Sequence, residues 1–105
     1  MPMKQFELQY LPLFYDDLRR IVQYILGKLN NPEAADSFIN DVEDAIIKRS
    51  FCAESFEPYP STRNRKQPYY AIYVNNYVVY YVVIKHRIME VRRCLYKGQD
   101  RVKLI

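Results

Sequence analysis

The sequence has few of the residues that build metal centres and disulfide frameworks, and it lacks a long uninterrupted apolar run. Its two cysteines, Cys52 and Cys94, form no CxxC pair, and His86 is its only histidine, which disfavours a zinc site or a disulfide framework. We expect both thiols to be reduced and to lie in the core or at its boundary. There is no run of about 18 apolar residues to span a bilayer, and MPMKQFELQY lacks the apolar segment of a signal peptide. These absences predict a cytoplasmic protein without a membrane partner.

The composition indicates one globular domain covering residues 1–105, because half of the residues are apolar and 27% are charged. The net charge of +4 is unevenly distributed. Residues 1–60 contain 6 basic and 10 acidic side chains, whereas residues 61–105 contain 10 basic and 2 acidic ones. A basic second half could face nucleic acid or an acidic protein partner.

The most apolar stretch is Tyr69–Ile84, YYAIYVNNYVVYYVVI, which consists almost entirely of aromatic and β-branched residues. We interpret it as a β-hairpin that reverses at Asn75-Asn76, since asparagine tolerates positive φ. Its second half, Tyr77–Ile84, has no polar face. This pattern predicts a central strand that is at least partly covered on both faces.

The first half of the chain predicts a strand followed by two helices. Polar and apolar residues alternate over Gln5–Tyr10, which is the period of a strand with one solvated face. A helix begins near Pro12, and a second begins at Pro32 with Asn31 as N-cap and ends between Arg49 and Cys52. The predicted buried faces are Phe14, Leu18, Ile21, Val22, Ile25 and Leu29 in the first helix and Ala35, Phe38, Ile39, Val42 and Ile46 in the second. The charged residues of the first helix, Asp16, Asp17, Arg19, Arg20 and Lys28, are expected to lie opposite and to be solvated.

A long loop, Ala53–Pro68, precedes the hairpin, and a basic turn at Lys85-His86-Arg87 follows it. The last predicted strand is Ile88–Tyr96, with Met89, Val91, Arg93 and Leu95 expected on one face. The fold class is therefore α+β: an N-terminal strand, an αα-hairpin and a three-stranded antiparallel meander (β-α-α-β-β-β), with the helices packed on one face of the sheet.

Nearly the whole chain resembles the RelE/ParE toxins of bacterial type II toxin-antitoxin systems. The resemblance lies in the short first strand, the "LNNPEAA" connection, the loop "SFEPYP", the hairpin "PYYAIYVNNYVVYYVV" and the final "VRRCLYKGQD". It implies a toxin that is neutralised by a cognate antitoxin protein and that needs no cofactor and no metal. The implied target is DNA gyrase for ParE-like members, or mRNA on the ribosome for RelE-like endonucleases.

Metal-independent RNA cleavage needs cations for the phosphate charge and a group that activates the 2′-OH. The resemblance places basic residues of RelE-like nucleases at or near Ala71, Tyr73 and Val78, and none of these is basic here. Tyr96 is kept, and the basic turn is partly kept at Lys97. This departure favours a ParE-like action or a purely antitoxin-binding role.

The residues themselves suggest two candidate sites. Arg65, Tyr96 and Glu57 are the catalytic candidates. Glu57 and Arg65 could form an acid/base and phosphate-binding pair or could simply cap and solvate the loop, and the role of Tyr96 is implied by the resemblance. A basic surface for a target or for nucleic acid is predicted from Arg63, Arg65, Lys66, Arg92, Arg93 and Lys97. Its alternative is a solvated edge that protects strands from pairing. His86 could be a general base, but its place in a basic turn favours a solvated residue.

Three functions therefore remain open. The first is a toxin that inhibits gyrase, and the second is a ribosome-dependent mRNA endonuclease. The third is a non-toxic relic that binds an antitoxin and represses its operon.

Overall fold

A computed structural model describes residues 4–60 and 67–98. The elements are β1 (Glu7–Tyr10), α1 (Pro12–Lys28), α2 (Pro32–Arg49), β2 (Tyr70–Val74), β3 (Tyr77–Ile84) and β4 (Ile88–Tyr96). This order confirms the predicted α+β fold, although the first strand begins at Glu7 rather than Gln5. The predicted site residues Arg63, Arg65 and Lys66 and the tail from residue 99 lie outside the described residues.

The four strands form one mixed sheet in the order β1-β4-β3-β2. The β2–β3 and β3–β4 pairs are antiparallel, as the predicted meander requires. β1 lies parallel to β4 and pairs with it only from Glu7 opposite Ile88 to Tyr10 opposite Val91. Because β4 continues to Tyr96, its second half extends beyond the end of β1.

The hairpin turns depend on residues in the left-handed region. Asn75 has φ 53°, which an asparagine tolerates, and it joins Val74 to Tyr77 through the predicted Asn-Asn turn. Lys85 and His86 have φ 55° and 54° at the second turn. There the conformation is more costly, because neither side chain can relieve it by a short local hydrogen bond.

Both faces of the sheet are buried, as predicted for a central β3. On the helix-covered face, Val79, Tyr81 and Val91 pack in one cluster with α1 and α2. On the opposite face, Val78, Tyr80 and Leu95 form a second cluster with Tyr59 and Tyr69. The five residues Val78–Val82 are fully buried, with relative exposures of 0%.

The predicted face of α2 is buried or partly buried throughout, whereas that of α1 needs two corrections. Leu29 is 57% exposed, because it follows the last residue of α1, beyond the part of the helix that packs on the sheet. Asp17, expected to be solvated, is 1% exposed. It lies where α1 crosses β4, so its side chain enters the helix–sheet interface.

The prediction that Met89, Val91, Arg93 and Leu95 share one face of β4 was wrong. A β-bulge opposite Tyr80 and Tyr81 inserts one extra residue, so that Tyr81 pairs with Val91 and Tyr80 with Arg93. The alternation therefore changes phase at Arg92. Met89, Val91 and Cys94 consequently pack on the helix-covered face, and Leu95 packs on the other.

Candidate functional site

An open groove of about 480 Å³ lies between α1 and the end of the sheet where the Asn75-Asn76 turn is located. Its lining residues are Arg20, Ile21, Tyr24, Tyr77 and Tyr96. Tyr24 and Tyr96 are 54% and 52% exposed, so two aromatic rings face solvent beside a cation. Such a groove can bind apolar or aromatic groups and can offer a cation to an anionic group.

The sheet register and the packing of α2 place the two tyrosines of the groove floor. Tyr77 opens β3 and is the register partner of Tyr96, the last residue of β4, so both rings lie at the same end of the sheet. Their ring centroids are 5.9 Å apart in an edge-to-face arrangement. Phe38 of α2 supports Tyr77 from behind, with ring centroids 4.9 Å apart. The floor is therefore set by packed rings.

The buried Asp17 carboxylate connects the groove to β4. It accepts hydrogen bonds from Arg93 Nε at 2.8 Å and Nη2 at 2.9 Å, and from the Cys94 backbone N–H at 3.0 Å. It also accepts one from Arg20, whose own side chain is 65% exposed. In the described residues, Asp17 takes the place of a neighbouring strand at this edge, since β1 has already ended.

This arrangement changes the titration of the surrounding groups. The hydrogen bonds to Asp17 raise the pKa of Arg93, which stays charged. Burial, together with the nearby Asp17 charge, raises the pKa of the Cys94 thiol to about 12. Burial also raises the pKa of Tyr77 above that of an ordinary tyrosine, which disfavours its hydroxyl as a general base.

The positions where RelE-like nucleases are expected to carry cations lie on the helix-free face. Val78 is fully buried there, and Ala71 packs against the same cluster. Tyr73, on the same face by the strand alternation, is 59% exposed, and Lys97 Nζ lies 5.9 Å from its ring centroid. Among the described residues this face thus has two cations beside aromatic rings, Lys97 at Tyr73 and Arg92 at Tyr69, and none at the positions of Ala71, Tyr73 and Val78.

The catalytic candidate Glu57 is exposed and is not placed beside Tyr96. Its loop is held at the other end of β2, where the Tyr59 N–H donates to the Tyr69 carbonyl at 2.6 Å. Four residues of β3, about 13 Å, separate Tyr77, which contacts Tyr96, from the region of this loop. The third catalytic candidate, Arg65, lies outside the described residues.

Arg49 anchors the start of the same loop. Its guanidinium lies 3.6 Å from the Phe56 ring centroid and donates to the Ala71 carbonyl and the Tyr81 hydroxyl. The Tyr81 hydroxyl in turn donates to the Ala53 carbonyl at 2.8 Å. The Arg49 guanidinium and the rings of Phe56 and Tyr81 therefore hold the start of the loop against β2 and β3.

The predicted basic surface is only partly described. Arg92 donates to Glu90 at 2.9 Å and to the Tyr69 hydroxyl at 3.3 Å, and Arg93 binds Asp17. These two guanidiniums are engaged in contacts within the fold, whereas Lys97 is exposed. A joint surface with Arg63, Arg65 and Lys66 stays a prediction.

His86 is exposed in its turn, as expected, and its Nδ1 lies 2.6 Å from a Glu54 carboxylate oxygen. It is at the opposite end of β4 from Tyr96. Cys52 is half-buried and Cys94 is buried, and both are free thiols, in agreement with the sequence interpretation. Among residues 4–60 and 67–98, no group of three His, Cys, Asp or Glu side chains is placed to hold a metal ion.

Sequence reasoning missed Asp17, Arg20, Tyr24 and Tyr77 as members of one site. The available signal was weak: Asp17, Arg20 and Tyr24 recur at helical spacing on one side of α1, in a region interpreted as solvated. Their meeting with β3 and β4 depends on how α1 crosses the sheet.

Within the described part of the chain, no helix is both long enough and apolar enough to cross a membrane. A search of curated protein sequences finds no match.

Two solved structures share the fold of this chain. One is of the chromosomal ParDE toxin-antitoxin system from P. aeruginosa, with a TM-score of 0.71 and 15% identity over 88% of this chain and 96% of that chain. The other is of the archaeal RelE-RelB complex from Pyrococcus horikoshii OT3, with a TM-score of 0.52 and 13% identity over 91% and 99% of the two chains. At these identities the likeness establishes a shared fold and no more.

The family comparison is more specific. The model of the family described as ParE toxin of type II toxin-antitoxin system, parDE, matches residues 8–101. The chain belongs to this family, and it is a toxin component of a type II toxin-antitoxin system.

Proposed function

We propose that this protein inhibits growth in the cytoplasm by binding a protein target, DNA gyrase, and that a cognate antitoxin holds it inactive. The observation that carries the proposal is the helix-free face, where Val78, Ala71 and Tyr73 stand at the positions expected to be basic in an RNA-cleaving relative. Inhibition by binding requires complementary surface, whereas RNA cleavage requires a positioned base and cations.

The groove supports the same proposal. Its tyrosine Tyr77 has a raised pKa, and its cation Arg20 contacts Asp17. The described histidine, His86, lies at the far end of β4. The described lining of the groove therefore does not combine a general base with several cations, while its exposed rings and its one cation suit the binding of a protein.

The antitoxin partner is supported by the family and by the ParDE and RelE-RelB complexes that share the fold. A basic chain with a sequence pI of about 9.1 would attract an acidic antitoxin segment. Such a segment would cover surfaces that the free toxin presents to its target.

The direct test measures purified toxin in two assays, gyrase supercoiling and mRNA cleavage in a translating extract. The proposal expects inhibition of supercoiling, a DNA-damage response on expression and no mRNA cleavage. Co-expression of the neighbouring reading frame should restore growth and supercoiling.

The alternative, a RelE-like mRNA endonuclease, is favoured by the retained Tyr96 and Lys97 at the end of β4. It expects cleavage in the extract that is lost in Arg65→Ala, Tyr96→Phe or Glu57→Gln. That outcome, without an effect on gyrase, would replace the proposal. Expression without any growth arrest would instead indicate the non-toxic, antitoxin-binding co-repressor.

A further inference from the structure

Gly27 lies in the last turn of α1, where glycine has no evident role within the chain. Its φ is not positive, so the backbone conformation does not require glycine. A Cβ added at Gly27 would meet no atom of the described residues within 4 Å, so no close internal approach requires it either. Glycine nevertheless lowers helix stability relative to alanine. A glycine on an exposed helix face lets another backbone come close.

Gly27 shares a helix face with the rim of the groove. It follows Tyr24 by almost one turn and Arg20 by almost two turns, and both of these residues line the groove. A chain that crossed α1 at Gly27 would therefore pass at the end of the groove, almost one helical turn beyond Tyr24. Its side chains could reach the rings of Tyr24 and Tyr96.

The charge at this face identifies the chemistry of the occupant. None of the described lining residues is acidic, and Arg20 is 65% exposed at the rim. The carboxylate that Arg20 contacts also receives Arg93, so one negative charge is shared by two guanidiniums. Lys28 adds a further cation in the last turn of α1. An incoming carboxylate would thus find a favourable potential.

We infer that an acidic segment of the antitoxin crosses α1 at Gly27, with a carboxylate at Arg20 and an apolar side chain in the groove between Tyr24 and Tyr96. This inference rests on the proposal that an antitoxin holds the toxin inactive. Gly27 then determines how closely the two backbones approach, and it is a specificity residue for the partner.

The test uses the toxin and the protein encoded by the neighbouring reading frame, with affinity measured by calorimetry and the unfolding temperature measured on the free toxin. Gly27→Ala raises the Tm of the free toxin by roughly 2–6 °C, because alanine favours the helix and meets open space. The same change weakens antitoxin binding, and Gly27→Leu weakens it by about tenfold or more because the longer side chain keeps the backbones apart. Stability and affinity therefore move in opposite directions.

Matched controls separate this effect from general disturbance. Ser37→Leu places the same side chain on the exposed face of α2 and should leave affinity unchanged. Arg20→Ala should weaken binding by about tenfold, with a stronger salt dependence for the unsubstituted toxin. Arg19→Ala should leave binding unchanged, although Arg19 is similarly exposed, at 69%, and also contacts a carboxylate three residues earlier.

Unchanged affinity in Gly27→Leu, with the complex still formed, would overturn the inference while leaving the proposed function intact. Failure of the unsubstituted toxin to bind the neighbouring protein would instead count against the proposed function. Sedimentation of the free toxin tests a second copy as occupant: self-association that Gly27→Leu abolishes would also overturn the inference.

Discussion

Replacing Asp17 with alanine tests how far this one buried carboxylate stabilises the fold. The substitution removes the carboxylate oxygens that accept hydrogen bonds from Arg93 Nε and Nη2 and from the Cys94 N–H. Arg93, whose side chain is 14% exposed, would be left as a largely buried cation without this partner. Loss of one partner from a buried ion pair typically costs about 3–5 kcal/mol.

The contacts of Asp17 allow this figure to be divided. The Cys94 N–H, left buried without an acceptor, accounts for roughly 1–3 kcal/mol of the cost. The Arg20 contact adds little, because that guanidinium is 65% exposed and water screens it. We therefore expect the free energy of unfolding to fall by about 3–4 kcal/mol in Asp17→Ala.

Urea unfolding followed by circular dichroism measures this change. With a slope of about 1–2 kcal/mol per molar urea, the midpoint should fall by roughly 1.5–4 M. Asp17→Asn retains an acceptor for the Cys94 N–H but loses the charge, so its destabilisation should be smaller. The double substitution of Asp17 by alanine and Arg93 by methionine should cost less than the sum of the two single changes.

The adjacent Asp16 provides the matched control. It lies on the same helix and binds Arg19 in the same i,i+3 geometry, but it is 47% exposed. Asp16→Ala should change stability by less than about 0.5 kcal/mol. If Asp17→Ala and Asp16→Ala destabilised the protein equally, the assignment of Asp17 as a structural carboxylate would be refuted.

Three further predictions concern other parts of the fold. Between the ordinary thiol pKa of 9.0 and the folded-state pKa of about 12, Cys94 keeps its proton in the folded state and loses it in the unfolded state. The free energy of unfolding should therefore fall by up to about 1.4 kcal/mol per pH unit across this pH range. Alkaline titration of stability checks this, and an equally steep slope in Cys94→Ala would contradict it. Lys85→Gly should raise the Tm by a few degrees, because it relieves the positive φ, whereas Arg87→Gly in the same turn should lower it. Arg49→Met should lower the free energy of unfolding by about 1–2 kcal/mol and increase proteolysis of the loop after α2, because it removes the hydrogen bonds to the Ala71 carbonyl and the Tyr81 hydroxyl. Lys48→Met is the exposed control, and unchanged cleavage in Arg49→Met would show that the Arg49 contacts do not hold the loop.

Much of the fold could be predicted because each element carries its own periodic signal. The alternation in β1, the Pro32 and Asn31 signals at the start of α2, and the Asn-Asn turn depend only on residues close in sequence. The bulge at Arg92 carried no comparable signal, because it arises where β4 adjusts to β3. The groove was missed for a similar reason, since its residues come from one helix and two strands.

The sequence by itself thus determined the order of the elements, the buried centre at Val78–Val82 and the replacement of expected cations by Ala71, Tyr73 and Val78. Only the tertiary structure decided that β1 lies parallel to β4 and ends before β4 does. The Cys94 N–H on the uncovered part of β4 therefore donates to the carboxylate of Asp17, 77 residues earlier in the chain. Periodicity records which side of an element is buried. It does not record which distant backbone group will need a partner there, because that depends on where the packed helix crosses the sheet.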